Sequence, residues 1–374
     1  MKVCKLDTEN PRDVNQFIQF PFELYKNCEQ WVPPLISDMK LVMNRHKHPF
    51  YQHSEADFFI AKSENDVLGR IAVLHNHNYC QYHNVQTAFF YFYEVIEDKQ
   101  VSDALLDAIV DWCKQRQLNR IIGTKGFLRS SGMGILIKGF EFTPAIGIPY
   151  NFAYYPSFLE AWGFEKLLDQ FSGYLDAQSY KKLPERLHEI ADKVKQRGSF
   201  WIKSFKNANE MRQWIPYVKK VQEIAFSDNP NYYPSTDAEF GLIANSMIQI
   251  ARPRMIKLVM KGDEVAGFVI SYPNISNGLK KSRGRLFPLG WLHLLWDKRF
   301  TKVVDFNGVG LLPQYQGLGA NAMLYVELEK TIRQFGFERG EFVQVNENNF
   351  KSKSDWDNIG IIYHKIHRTY QYLL

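Results

Sequence analysis

The chain has 374 residues, 45% of them hydrophobic, enough for a large core and in the range of two domains. No apolar run reaches a bilayer span, the N-terminus lacks the apolar core of a secretory signal, and four cysteines without CxxC spacing exclude a disulfide scaffold. A cytoplasmic protein with reduced thiols is therefore expected.

Charge is uneven. Seventeen basic and 21 acidic residues precede residue 179, a balance of −4, whereas the rest of the chain carries +10. An anionic partner would explain a basic half, and so would an ordinary solvated surface.

Residues 1–178 read as mixed α/β. "ADFFIAKSENDVLGRIAVL" has the form of a hairpin turning at Ser63-Glu64-Asn65-Asp66. "TAFFYFYEV" is a β-prone run suited to a central strand. "SDALLDAIVDWCKQRQ" has helical spacing with Ser102 or Asp103 as N-cap. "NRIIGT" is a short strand, and "YYPSFLEAWGF" a helix ending at Gly163. Residues 179–374 repeat the order. A connector helix over 183–197 leads to the strand "SFWIKSF" and to helices near 208–226 and 237–251. "RMIKLVMKGDEVAGFVISYP" is a hairpin, "TKVVDFNGVGLLP" a strand, and "GEFVQVN" another. A short helix in "SDWDNIG" and a final strand close the chain. Between "TKVVDFNGVGLLP" and "GEFVQVN" lies "LLPQYQGLGANAMLYVELEKTIRQFGF", a Gly-containing loop opening a clean helix pattern.

That loop has a physical meaning of its own. Gly317 and Gly319 permit close backbone approach, and the free N–H groups of a helix start suit a diphosphate; Gln316 and Asn321 add neutral donors. A ligand-free strand-to-helix turn is the alternative. The glycines of "DFNGVGLLP" further predict a bulge or a close backbone approach in the preceding strand, or mark only a loop edge.

With these elements in this order, the second half resembles the GNAT superfamily of acyl-CoA N-acyltransferases, and the whole chain resembles a bacterial group of tandem GNAT-like proteins. The resemblance implies an α/β (α+β) fold of two GNAT-like domains, residues 1–178 and 179–374, each a mixed, mostly antiparallel sheet flanked by helices. The first would be a degenerate copy. "LPQYQGLGAN" is similar to the family's pyrophosphate loop when aligned on Gln316, Gly319 and Asn321, with Asn where a small residue is usual. A register on Gln314, Gly317 and Gly319 also fits.

The resemblance implies acetyl-CoA or another acyl-CoA as cofactor. Gln316, Gly317, Leu318, Gly319, Ala320 and Asn321 would hold its diphosphate, and Asn349 would add a contact. A splayed strand would pair with the pantetheine arm, its N–H near Gly310 or Leu311 polarising the thioester. The family often places a Tyr four residues before the Gly that ends the last helix. Counting back from Gly360 gives Trp356, so Tyr363 is either the substitute acid or a core residue of the final strand, and Asp305 and Glu347 are the candidate bases. The expected partner is a small-molecule amine or a peptide. A non-catalytic acyl-CoA binder and an aminoacyl-tRNA-dependent transferase are the alternatives, although no nucleic-acid motif is present.

In the first half, "VIEDKQVS" puts Glu97 and Asp98 where the second has its glycines, so no coenzyme A site is expected there. "IPYNFAYYPSFLEAWGFEK" either lines a cleft or plugs it. His75, His77, Cys80 and His83 are metal-ligand types without a completed zinc pattern, so no metal is expected. "NGLKKSRGRLFPLGWLHLLWDKRFTK" is a basic and apolar insertion, read as a lid, an interfacial patch or a packed excursion.

Overall fold

A computed structural model describes residues 1–64, 66–176, 183–198 and 200–374. Asn65 of the expected turn and the expected boundary between residues 178 and 179 lie outside the described residues. The chain divides into two compact units. One comprises Met1–Phe171, Ser276–Leu294 and His364–Leu374, and the other Ser172–Ile275 and Leu295–Tyr363.

In chain order the strands are β1 (Lys2–Lys5), β2 (Glu55–Ser63), β3 (Asp66–His75), β4 (Thr87–Val95), β5 (Arg120–Gly123), β6 (Ile135–Lys138) and β7 (Glu165–Asp176). The others are β8 (Trp201–Ser204), β9 (Ile256–Lys261), β10 (Glu264–Pro273), β11 (Val303–Leu311), β12 (Arg339–Asn346) and β13 (Ile362–Leu373). Strands β7 and β13 each contribute residues to both units.

In the first unit the order is β1-β2-β3-β4-β5-β13, with β6 also paired to β13. All these pairs are antiparallel except β4 with β5. The expected β2–β3 hairpin forms, from Glu55↔His75 to Ser63↔Asp66. Its core is sealed by the helix Lys99–Lys114, which buries Val101, Leu105, Leu106, Ile109 and Val110 at helical spacing. The N-cap differs from expectation. Asp98 caps this helix by accepting from the Gln100 N–H, and Ser102 is fully buried one turn in, 2.6 Å from the Tyr93 hydroxyl. The polar run that starts the pattern extends four residues upstream of its first apolar position, which hides the true start. The helix Tyr155–Trp162 ends at Gly163 in the left-handed region, as its sequence indicates.

The second unit has the order β8-β9-β10-β11-β12, antiparallel except for β11 with β12. The β9–β10 hairpin closes on Gly262 and Asp263, with Lys261 opposite Glu264. The helical stretch expected near 208–226 is two helices, Ala208–Gln213 and Ile215–Ala225, broken at Trp214 before Pro216. The helix Ala320–Phe335 buries Ala322, Met323, Val326 and Leu328 against the sheet and the connector helix Glu185–Gln196. Each unit is a mixed, mostly antiparallel sheet flanked by helices.

Candidate functional site

The site grows from a defect in β11. Opposite β10, Ile270 faces Gly308 while Ser271 faces Phe306, so Asn307 is an extra, bulged residue. On the other edge, parallel pairing with β12 covers only Val303–Phe306 against Arg339–Phe342. Both strands continue, β11 to Leu311 and β12 to Asn346, without pairing to each other. The last joined residues, Phe306 and Phe342, stack with ring centroids 4.2 Å apart. A bulge that re-aims one strand thus coincides with the point where two strands part.

The parting leaves backbone groups without ladder partners. Leu312 donates its N–H to Ala266 O at 2.9 Å. Strand alternation then turns the Gly310 N–H towards β10 and those of Val309 and Leu311 towards the opening. The Leu311 carbonyl, on that open side, accepts from Gln316 Nε2 at 3.3 Å.

Past a single turn at Pro313–Tyr315, the chain reaches the loop. Gly317 and Gly319 have φ of 74° and 81°, which other residues adopt at a cost. The Gly319 Cα also sits against the connector helix: a Cβ there would lie 2.7 Å from Val194 Cγ2 and 2.8 Å from Ile190 Cγ2. The backbone N–H groups of Gly317, Leu318, Gly319, Ala320 and Asn321 have no acceptor among the described residues. They lie at the positive end of a 16-residue helix.

These features face a cleft of about 1530 Å³. Gly310, Leu311, Gln316 and Gly317 line it, as do Leu318, Gly319, Asn321 and Asn349. Ala320 does not: it is fully buried as the first residue of its helix, so only its N–H is relevant. Gln314, from the alternative register, is not in the lining. Asn349 caps the helix Phe350–Ile359 by accepting from the Ser352 N–H at 3.1 Å. Arg186, Lys193, Arg197, Lys261 and Lys351 also reach the cleft, the last donating to Gln316 Oε1 at 3.1 Å. The first three fall on one face of the connector helix and its end, at spacings of seven and four. That signal was present in the sequence and was read there only as a connector.

The expected catalytic side chains are not brought together. Asp305 is fully buried, outside the lining, and both its oxygens accept from Asn274 Nδ2 at 2.9 and 3.0 Å. Glu347 is also outside the lining. Tyr363 donates to Asp357 Oδ1 at 3.0 Å; burial and then that carboxylate push its pKa up to about 12. It too stands outside the lining. The carboxylates that do line the cleft are Asp228 and Asp355. Asp355 lies 3.4 Å from both Asn321 Nδ2 and the Tyr325 hydroxyl. Burial raises its pKa, against the opposing pull of those two donors. Neither Asp355 nor Tyr325 was marked by the sequence.

The first unit has no such opening at the equivalent strand end. The Val95 N–H donates to the Tyr155 hydroxyl at 2.9 Å, and the Val95 carbonyl accepts from the Tyr154 hydroxyl at 2.6 Å. Tyr155 is fully buried. The aromatic segment is a plug rather than a cleft wall, and the Asp98 carboxylate holds the helix start beyond it. In the same unit, Glu55, His75 and His77 offer ligand atoms within 4.8 Å of one another. Glu55 is paired with Arg116 at 3.0 Å, and Cys80 instead bonds Thr87 O. Among the described residues no helix is long and apolar enough to cross a membrane.

No protein-family model matches the chain. It is 25% identical to Protein YghO of Escherichia coli strain K12, over 97% of this chain and 93% of that one. It is 24% identical to the Bacterial ceramide synthase of Caulobacter vibrioides, over 98% and 96%. Among solved structures, a tandem GNAT protein from the clavulanic acid biosynthesis pathway superposes with a TM-score of 0.60 at 10% identity, covering 100% of this chain and 98% of that one. The fold is therefore that of the tandem GNAT proteins.

Proposed function

We propose that this chain, with its tandem GNAT fold, is an acyl-CoA-dependent N-acyltransferase whose chemistry lies in the second unit. The observation that carries the reading is the run of β11 after Phe306, still paired to β10 but open on its β12 edge, beside a loop of N–H groups without acceptors among the described residues. An extended arm bearing amides can take the ladder positions that β12 leaves vacant. A diphosphate suits the Gly317–Asn321 amides, with cations from the connector helix around it.

The reaction needs little more from the protein than position and charge. The amine attacks the thioester carbonyl carbon; the C–N bond forms, the C–S bond breaks, and the thiolate leaves with its electron pair. The Leu311 N–H meets the oxygen on which negative charge grows, and Asp355 takes the proton that the amine loses. A raised pKa makes that carboxylate a stronger base than an ordinary aspartate. A free thiol ionises at about 8.5, so the leaving group tolerates the absence of an acid at Trp356.

The acceptor is an amine. One relative is named a ceramide synthase, and ceramide is the amide of a long-chain amine, which favours an amphiphilic acceptor here. A second reading, a non-catalytic acyl-CoA binder, is favoured by Trp356 at the position of the family's acid. The test is free-thiol release from acetyl-CoA and palmitoyl-CoA with and without a panel of amines, beside calorimetry of the same thioesters. Amine-dependent release supports the enzyme, binding without release supports the binder, and no binding removes both.

A further inference from the structure

The helix Gly290–Phe300 carries most of its large apolar side chains on its exposed side. Gly290, Leu294, Asp297 and Lys298 form its inward face, and Asp297 is its one buried residue. Trp291, Leu292, Leu295, Trp296 and Phe300 point outwards with 42% to 65% of their surfaces exposed. Just before them, Phe287 is 81% exposed and Leu289 62%. A helix surrounded by water turns its apolar stripe to the core, so this arrangement requires another apolar phase.

Charge identifies that phase. Lys281, Arg283, Arg285 and Arg299 are exposed, and none has an ion pair among the described residues. From Ser276 to Lys302 the sole acidic residue is Asp297, which is turned inwards. A second copy of the chain, meeting this face about a two-fold axis, would set cations against cations. A bilayer with anionic headgroups offers an apolar layer for the Trp, Leu and Phe side chains and negative charge for the flanking cations. We propose that the segment Lys281–Phe300 docks this protein on anionic membrane surfaces, with the Gly290–Phe300 helix lying in the interface.

The test uses the full chain, without any acyl-CoA, in flotation with vesicles of phosphatidylcholine alone or of equal parts phosphatidylcholine and phosphatidylglycerol. The wild type should float with the mixed vesicles and much less with the neutral ones. Combining Trp296→Ser with Phe300→Ser should weaken binding roughly tenfold or more, because it removes the inserted area. Combining Lys281→Glu with Arg285→Glu should abolish the preference for anionic lipid. Both pairs are exposed, and an unchanged circular-dichroism melt confirms that each variant is folded. A wild type that floats with neither vesicle overturns the proposal, as do folded variants that bind like the wild type. A concentration-dependent dimer lost in the Trp296→Ser, Phe300→Ser variant, with no flotation, overturns it in favour of self-association. Failure here leaves the acyltransferase reading intact, since thiol release is measured without vesicles.

Discussion

The Tyr155 hydroxyl accepts the Val95 N–H at 2.9 Å, filling in the first unit the kind of strand-end vacancy that the second unit leaves open. With Tyr154 on the Val95 carbonyl and Asp98 on the next helix start, the groups corresponding to those we propose for the cofactor in the second unit are taken here by the chain itself. Titration calorimetry with an acyl-CoA should therefore give one site per chain; two comparable sites would refute the asymmetry. Tyr155→Phe should leave a buried N–H without its acceptor, costing about 1–3 kcal/mol in denaturant unfolding, and should create no second site.

The two loop glycines should fail in different ways. Nothing lies within 4 Å of a Cβ added at Gly317, whereas one at Gly319 meets Val194 and Ile190. Gly317→Asp keeps a residue type that tolerates positive φ and places a carboxylate among the anion-binding amides. It should lower acyl-CoA affinity roughly tenfold or more with little change in melting temperature. Gly319→Asp should lower the melting temperature itself. Equal affinity in a folded Gly317→Asp protein would remove the diphosphate assignment.

How far the sequence reaches depends on how local each feature is. The loop Gln316–Asn321 was legible because a turn, two glycines and a helix start are written in consecutive residues. The bulge was legible as a region, but its residue, Asn307, depends on the register with β10. Asp355 was not legible: it meets Asn321 and Tyr325, 34 and 30 positions earlier, only because two helices pack together. Asp305 misled for the complementary reason. A lone acid in a strand pattern looks solvent-facing, and only the fold brings Asn274 to satisfy it in the interior.

His367 should make the protein acid-sensitive. It is fully buried, its Nε2 lies 3.0 Å from Pro149 O, and its Nδ1 has no partner among the described residues. The carbonyl fixes the proton on Nε2, so a second proton would place an unpaired charge in the interior. Burial accordingly pushes its pKa down to about 4 from 6.5. The unfolded chain then binds more protons between those values, and stability falls as pH drops from 6.5 towards 4. The loss from this residue is about 3 kcal/mol. His75, also held at about 4, adds a smaller part in the same window. Urea unfolding of His367→Gln should show a visibly shallower slope over that range, and an unchanged slope would show that the imidazole is not the sensor.

The carboxylates separate the chemistry from the scaffold. Asp355 faces the cleft with a raised pKa, whereas Asp305 is enclosed and held by Asn274. If Asp355 takes the amine proton, Asp355→Asn should lower kcat by about 10²–10⁴-fold. The acidic limb of the pH–rate profile should vanish with it, since that limb reports the protonation of the base. Asp305→Asn should act on the melting temperature, because an amide cannot accept from Asn274 as a carboxylate does. Asp228, exposed at the same cleft, supplies the control: Asp228→Asn should move KM for the amine more than kcat. The assignment to Asp355 fails if Asp355→Asn turns over at the wild-type rate across the pH range. It also fails if Asp228→Asn is the variant that loses the acidic limb.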